Sequence, residues 1–235
     1  MWEGVNEREV NLMLLSLTLA APLAFRGAPL QFAASSRPIL RSGIVRSLSS
    51  AKAVSVLVPI ADSSEEIETA CITDTLVRAG AEVTVASVMP GRLQCKMSRG
   101  LQVVADAAIT DCVGKTYDCI ALPGGMPGAE NLRDCETLTA MLKEHAAASR
   151  LTAAVCASPA VVFQTHGLLP AAATCYPAFK EKVPGWVEAQ AIVDGHVVTS
   201  MGPGTSLQFA LKLVEILFDK AKAEEIAAQM LTSTA

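Results

Sequence analysis

The sequence predicts a three-layer α/β domain with an open, mostly parallel central sheet over residues 52–235. Three observations carry that expectation. Apolar runs rich in β-branched residues alternate with segments of helical periodicity, beginning with AVSVLVPI (53–60), EEIETACITDTLVRAG (65–80) and EVTVASV (82–88). The first run is apolar but for Ser55, as in a parallel strand buried on both faces. Composition agrees: 51% of residues are hydrophobic, 18% charged and only 4% aromatic, enough to bury a core with Ala, Val and Leu rather than stacked rings. Intrinsic disorder is excluded for most of the chain.

Each element then follows in order. AVSVLVPI reads as the first buried strand. Ser63 or Ser64 is placed to cap the next helix, whose inward face is expected to carry Ile67, Cys71, Leu76 and Val77, and Gly80 to end it. EVTVASV completes a right-handed βαβ unit. Residues 89–105, with Pro90, Gly91 and Gly100, predict a loop with a small hairpin. DCIALPGG (118–125) is a third strand running into a glycine turn, CETLTAMLKEHAAAS (135–149) a helix, and LTAAVC (151–156) a fourth strand. ASPAVVFQTHG reads as a helix closed by Gly167. WVEAQAIV (186–193) and HVVTS (196–200) around Asp194-Gly195 predict a hairpin with a two-residue turn. One long helix with Phe209, Leu213, Ile216 and Leu217 against the sheet is expected to end the chain. No internal repeat and no Pro- or Ser-rich linker divides this part, so residues 52–235 are expected to form a single domain.

The first fifty residues have another character. From Val10 to Ala61 there is no Asp or Glu, while Arg26, Arg37, Arg41, Arg46 and Lys52 punctuate Ser- and Ala-rich sequence. An Arg-rich, acid-poor leader reads as a transit peptide over residues 1–51, directing the chain to mitochondrion or plastid; the alternatives are a disordered leader and a cytoplasmic protein. NLMLLSLTLAAPLAF is too short to span a bilayer and is interrupted by Pro22. Glu3, Glu7 and Glu9 precede it where a secretory signal wants positive charge, a flank that initiation at Met13 would remove.

Several functions are disfavoured by the inventory. A net charge of −4 gives no basic field for nucleic acid. Three histidines, at 145, 166 and 196, do not make a multi-histidine metal site. Seven scattered cysteines (71, 95, 112, 119, 135, 156 and 175) contain no Cys-x-x-Cys pair, so neither a disulfide framework nor structural zinc is expected. Gly124-Gly125 matches neither Gly-x-Gly-x-x-Gly nor the phosphate loop, so no nucleotide cofactor is implied.

The chemistry is expected at the carboxyl ends of strands, where open α/β sheets collect ligands. Glu65, Glu66 and Glu68 follow the first strand, Gly124-Gly125 the third and Cys156 the fourth. VCASPA places a thiol on a strand–nucleophile–helix turn. Amides at the following helix start are expected to favour its thiolate and lower its pKa. Gly124-Gly125 can bring backbone amides to an oxyanion, and Glu68 is either a first-turn carboxylate serving the helix dipole or a proton carrier. His145 and His166 are expected on ordinary helices and His196 at a strand start, none spaced as a base to Cys156.

With these residues in view, positions 52 to about 232 resemble the Parkinsonism-associated deglycase family of the larger ThiJ/PfpI-like superfamily. The resemblance rests on EEIET (65–69), LVRAG (76–80), SRG (98–100), LPGGMPGAENL (122–132), AAVCASPA (153–160) and MGPGTS (201–206). It implies a flavodoxin-like sandwich, a homodimer and no cofactor or metal. It also implies that the reactive cysteine is Cys156 and its protonated glutamate partner Glu68. The oxyanion side falls on Gly125 beside Gly124 and the Ala157 amide, and a pocket arginine on Arg99. Asp74 and Arg78 fall in the helix used for dimerisation. Tyr176 stands where a human member of the family has histidine, so any relay there must pass to a hydroxyl that donates better than it accepts. Met97 likewise replaces a cysteine. The protease-like branch has histidine where this chain has Ala157, and there is no late His-x-Glu, which disfavours peptidase and amidotransferase activity. The implied function is glutathione-independent glyoxalase or deglycase chemistry on a small dicarbonyl such as methylglyoxal, with oxidation-sensing or redox-regulated chaperone activity through Cys156 as the alternative.

Overall fold

The computed structural model describes residues 53–234, so the leader and the start at Met13 lie outside the described residues. Strand β1 (Ser55–Ile60) is followed by α1 (Glu66–Ala79) and β2 (Glu82–Ser87). A short antiparallel ribbon, β3 (Gln94–Lys96) with β4 (Gln102–Val104), occupies the predicted hairpin region. Next come β5 (Ala107–Ala108), β6 (Cys119–Leu122), α2 (Gly128–Asp134), α3 (Glu136–Ala147) and β7 (Leu151–Val155). The chain closes with β8 (Ala191–Asp194), β9 (Val197–Ser200), α4 (Ser206–Leu217) and α5 (Lys220–Gln229).

The main sheet has the order β5-β2-β1-β6-β7-β9-β8, and every pairing in it is parallel except β8 with β9. Alternate residues of β1 divide the core. Val56, Val58 and Ile60 face α1, α4 and α5 with Ile72, Leu76, Phe209 and Leu213. Leu57 points the other way, into a second core with Ile120, Leu122, Leu138, Leu142 and Phe163. This is the three-layer, flavodoxin-like sandwich with a mostly parallel sheet. Its strand order reverses between β1 and β6, where a ligand crevice belongs in such folds.

Local departures from expectation have physical reasons. Glu65, not a serine, caps α1: its carboxylate accepts the Glu68 N–H at 2.8 Å. Ser64 instead accepts the Ala61 N–H, and Ser63 adopts φ 64°. The buried face of α1 is Glu68, Thr69, Ile72, Thr75, Leu76 and Ala79, whereas Ile67 and Val77 are 53% and 57% exposed. Leu76 is buried and Cys71 half-buried as expected; counting apolar side chains misplaced Ile67 and Val77 because half of the buried row is polar. The hairpin pairs Asp194 with Val197, so its turn is Gly195-His196 and Asp194 ends the strand. Residues 186–190 are not part of that strand. The segment after Cys156 makes only a short π-helical turn, Pro159–Phe163, and His166 lies beyond it. The C-terminal helix is two helices, broken at Phe218 and restarted by the Asp219 carboxylate accepting the Lys222 N–H. Phe209 and Leu213 are buried as expected, but Ile216 is exposed.

Candidate active site

Three loops meet at the carboxyl ends of β1, β6 and β7. The first turn of α1 aims Glu68 inward, and none of this residue's surface reaches solvent. Its Oε2 accepts the Gly124 N–H at 2.6 Å. Oε1 is buried without a hydrogen bond of good geometry, yet the carboxyl and the Cys156 thiol are close enough to perturb each other. Cys156 caps β7 with φ 64°, a left-handed conformation that non-glycine residues adopt at a cost. Its N–H donates to Ser200 O at 3.0 Å and its carbonyl accepts the Tyr176 N–H at 2.8 Å, so neighbouring segments hold the strained turn from both sides.

The glycines are dictated by space. A Cβ on Gly124 would sit 2.7 Å from Cys156 Cβ and 2.8 Å from the Ala157 nitrogen. Gly125 has φ 88°, and a Cβ there would lie 2.3 Å from the Ser63 carbonyl oxygen. With no side chains in the way, the N–H groups of Gly125 and Ala157 donate toward the Cys156 sulfur. An oxyanion formed beside that sulfur would lie within this group of donors.

The electrostatics correct one expectation. Burial pushes the Cys156 thiol up, and the adjacent Glu68 charge adds to the rise. The two amides act in the opposite direction, as the helix start had suggested, but they are outweighed. Burial also raises Glu68 to about 7, against the lowering effect of the Gly124 N–H and the thiol. The groups therefore titrate as a pair, with the first proton leaving near neutrality. A carboxyl of that pKa can both take up and release a proton at neutral pH.

The remaining sequence-assigned residues divide. Tyr176 borders the site: its ring lies against Gly202, where a Cβ would be 3.4 Å from Tyr176 Cδ2 and 4.0 Å from Cys156 Sγ. Arg99 lies on the loop after β3. Its N–H donates to Glu66 Oε1 at 2.8 Å and its guanidinium to Ser98 O, so it belongs with the loop that Glu66 pins to the start of α1. Asp74 and Arg78 pair on the exposed face of α1 at 2.7 Å. Sequence reasoning did not single out Gly202 or Ser158. Gly202 lies in MGPGTS, a segment already noted, but only the fold shows that it adjoins the sulfur. Among the described residues no His, Cys, Asp and Glu cluster suited to a metal ion occurs. No helix among them is long and apolar enough to cross a membrane.

Fold and site together define an α/β protein with a cysteine on a strained strand-to-helix turn beside a buried carboxyl. A profile of the DJ-1/PfpI family matches residues 54–216, and the chain belongs to that family. Protein DJ-1 homolog B of Arabidopsis thaliana is 41% identical over 191 residues, covering 80% of this chain and 43% of the relative. This chain thus spans less than half the length of that relative. The glutathione-independent glyoxalase DJR-1.2 of Caenorhabditis elegans is 34% identical, covering 74% of this chain and 94% of the relative. The solved structure of oxidized Toxoplasma gondii DJ-1 shares 54% identity with a TM-score of 0.76, covering 77% of this chain and all of that one.

Proposed function

We propose that the protein is a cofactor-independent glyoxalase of the deglycase type, acting on small 2-oxoaldehydes. The observation that carries the reading is the juxtaposition of the Cys156 thiol with a buried carboxyl of pKa about 7. Glu68 accepts the thiol proton as sulfur attacks the aldehyde carbon of methylglyoxal, giving a hemithioacetal whose oxyanion faces the Gly125 and Ala157 amides. Glu68 returns that proton to the oxyanion, and the freed carboxylate then carries a proton from the former aldehyde carbon to the ketone carbon through an enediol, the hydroxyl proton leaving as the thioester carbonyl forms. One carbon is oxidised and its neighbour reduced, so no external oxidant is needed. Water cleaves the resulting thioester to lactate and restores the thiol. Attack on the hemiaminal of a dicarbonyl and an amine would be the deglycase variant. Tyr176, at the rim, is assigned a hydrogen bond to the developing oxyanion. Arg99 is assigned the outer pocket, although within one chain its contacts are to Glu66 and Ser98.

The C. elegans relative, a glutathione-independent glyoxalase by name, supports this reading. The test is conversion of methylglyoxal to lactate without glutathione by the purified protein and by Cys156→Ser. Turnover that the substitution abolishes is expected. Absent wild-type turnover, with Cys156 still readily oxidised, would favour the second reading, a thiol sensor or redox-regulated chaperone. That reading draws support from the T. gondii relative, whose solved structure is of the oxidized protein.

Two further proposals accompany the activity. Homodimerisation through α1 is supported by its exposed stripe of Ile67, Asp74, Val77 and Arg78, and by the nearly bare Val104 (68% exposed) on β4. Ile67→Asp is expected to shift the solution mass from dimer to monomer in light scattering. Delivery to mitochondrion or plastid by residues 1–51 is tested by fusing them to a fluorescent protein; diffuse cytoplasmic signal would oppose it.

A further inference from the structure

The parallel ladder between β6 and β7 ends at Leu122 paired with Ala154. Beyond it the two strands run into separate loops, one carrying Gly124 and Gly125, the other Cys156 and Ala157. Besides the Gly125 N–H aimed at the Cys156 sulfur, a hydroxyl bond reconnects them. The hydroxyl of Ser158, a residue with no exposed surface, donates to the Pro123 carbonyl at 2.6 Å across 35 residues of sequence.

What hangs on each end of that bond gives it consequence. Pro123 precedes Gly124, whose N–H holds Glu68 Oε2 and whose carbonyl accepts the Glu65 N–H at 3.0 Å. Gly125, next along, donates toward the sulfur. On the other side, Ser158 lies two residues after Cys156 and directly after Ala157, the second donor toward the sulfur. The loops touch at Gly124 with no space for a methyl group against Cys156 Cβ. That approach brings two backbones together where no ladder hydrogen bond remains to hold them.

Resting on the enzymatic reading above, we infer that Ser158 is a positioning residue: its bond to Pro123 fixes the distance between the Cys156 sulfur and the loop whose Gly124 N–H holds Glu68 and whose Gly125 N–H is an oxyanion donor. Ser158 touches no reacting atom. Its hydroxyl acts through the loop, as a rung added beyond the end of the sheet. Without it, the Pro123 carbonyl keeps its position only by packing, and water can enter between the loops.

The experiment compares the wild type with Ser158→Ala and Ser158→Thr, reading the pH dependence of Cys156 alkylation by iodoacetamide, methylglyoxal turnover and the melting temperature together. Loosening the loops admits water to the carboxyl, so Ser158→Ala is expected to move the alkylation midpoint down by about one pH unit. It is expected to lower kcat about tenfold with KM little changed, because orientation rather than binding is lost. Ser158→Thr, which keeps the hydroxyl, is expected to restore both. A wild-type midpoint and kcat in Ser158→Ala, whatever its melting temperature, would reduce Ser158 to a packing role and overturn the inference. So would a folded Ser158→Thr that behaves like Ser158→Ala. If Ser158→Ala does not fold, Ser158→Cys, close in size and a weak donor, is read by turnover alone, and full turnover there counts against the inference. Alkylation needs no substrate, so absence of wild-type turnover would defeat the glyoxalase reading while leaving this test intact.

Discussion

Glu68 and His145 are both ionisable, both buried and both on helices packed against the sheet, yet they mark opposite ends and faces of the molecule. Glu68 lies in the first turn of α1, at the carboxyl end of the strands. His145 lies in the last turn of α3, near the start of β7. Burial drives each toward its neutral form: Glu68 rises to about 7, while His145 falls to about 4, with the Arg150 charge adding to the fall. The difference is the company each keeps. Glu68 faces a thiol on a strained turn and a set of amide donors. His145 interacts with the Tyr117 carbonyl, and its Nε2 has no hydrogen-bond partner. A perturbed pKa thus marks burial, and it marks chemistry only where a nucleophile and charge-stabilising donors converge on the same group.

The largest effect is expected from Glu68→Gln, which keeps shape and hydrogen bonding but cannot cycle a proton. Turnover is expected to fall by about 10²–10⁴-fold, while His145→Gln leaves it near wild type. Steady-state kinetics of the two variants measure that contrast. Gly124→Ala comes next. Its methyl group has no room against Cys156 Cβ and the Ala157 nitrogen, so a loss of about 1–3 kcal/mol in urea unfolding is expected, together with loss of turnover.

The pH dependence of stability separates the two residues further. Glu68 has a raised folded pKa, from 4.5 to about 7. Its contribution is fully present below pH 4.5 and disappears as pH rises through 7, a change of about 3 kcal/mol. Glu68→Gln should therefore flatten the stability profile on the neutral side and be more stable than the wild type at pH 8. His145 has the opposite sign. Its folded pKa is depressed from 6.5 to about 4, so its contribution is present above 6.5 and is lost as pH falls through 4. His145→Gln should remove that acid-side loss, about 3 kcal/mol as for Glu68 but on the opposite side of the profile, and leave the rate of Cys156 modification unchanged. Denaturant titrations across pH 3–9 would show both.

The two regions also differ in how far they can be read from sequence. The βαβ start, the Gly124-Gly125 turn and the thiol after the fourth strand are local patterns: an apolar run, a breaker and a residue type at one position. They placed Cys156, Gly124, Gly125 and Glu68 correctly at the same end of the sheet. What escaped was non-local. The inward row of α1 carries Glu68, Thr69 and Thr75, so hydrophobic periodicity pointed to Ile67 and Val77, which are exposed. The balance between amides and burial at the sulfur depends on how deeply the loops pack, which residue order does not disclose. Arg99 was assigned to the pocket by resemblance alone; the bond that ties its backbone to Glu66 has no signature in its own segment. The bond between Ser158 and Pro123 spans 35 residues and has no signature in either segment.

The proposed chemistry requires Cys156 and Glu68 to behave as one coupled unit, and the direct measurement is the rate of Cys156 alkylation against pH in the wild type and in Glu68→Gln. A wild-type rate that rises with a midpoint near 7, and a Glu68→Gln rate that lacks this step and climbs only at higher pH, is the predicted outcome, because the burial that raises the thiol remains when the carboxyl base is gone. The same midpoint in both proteins would contradict the coupling, since the titrating group would then be the thiol alone.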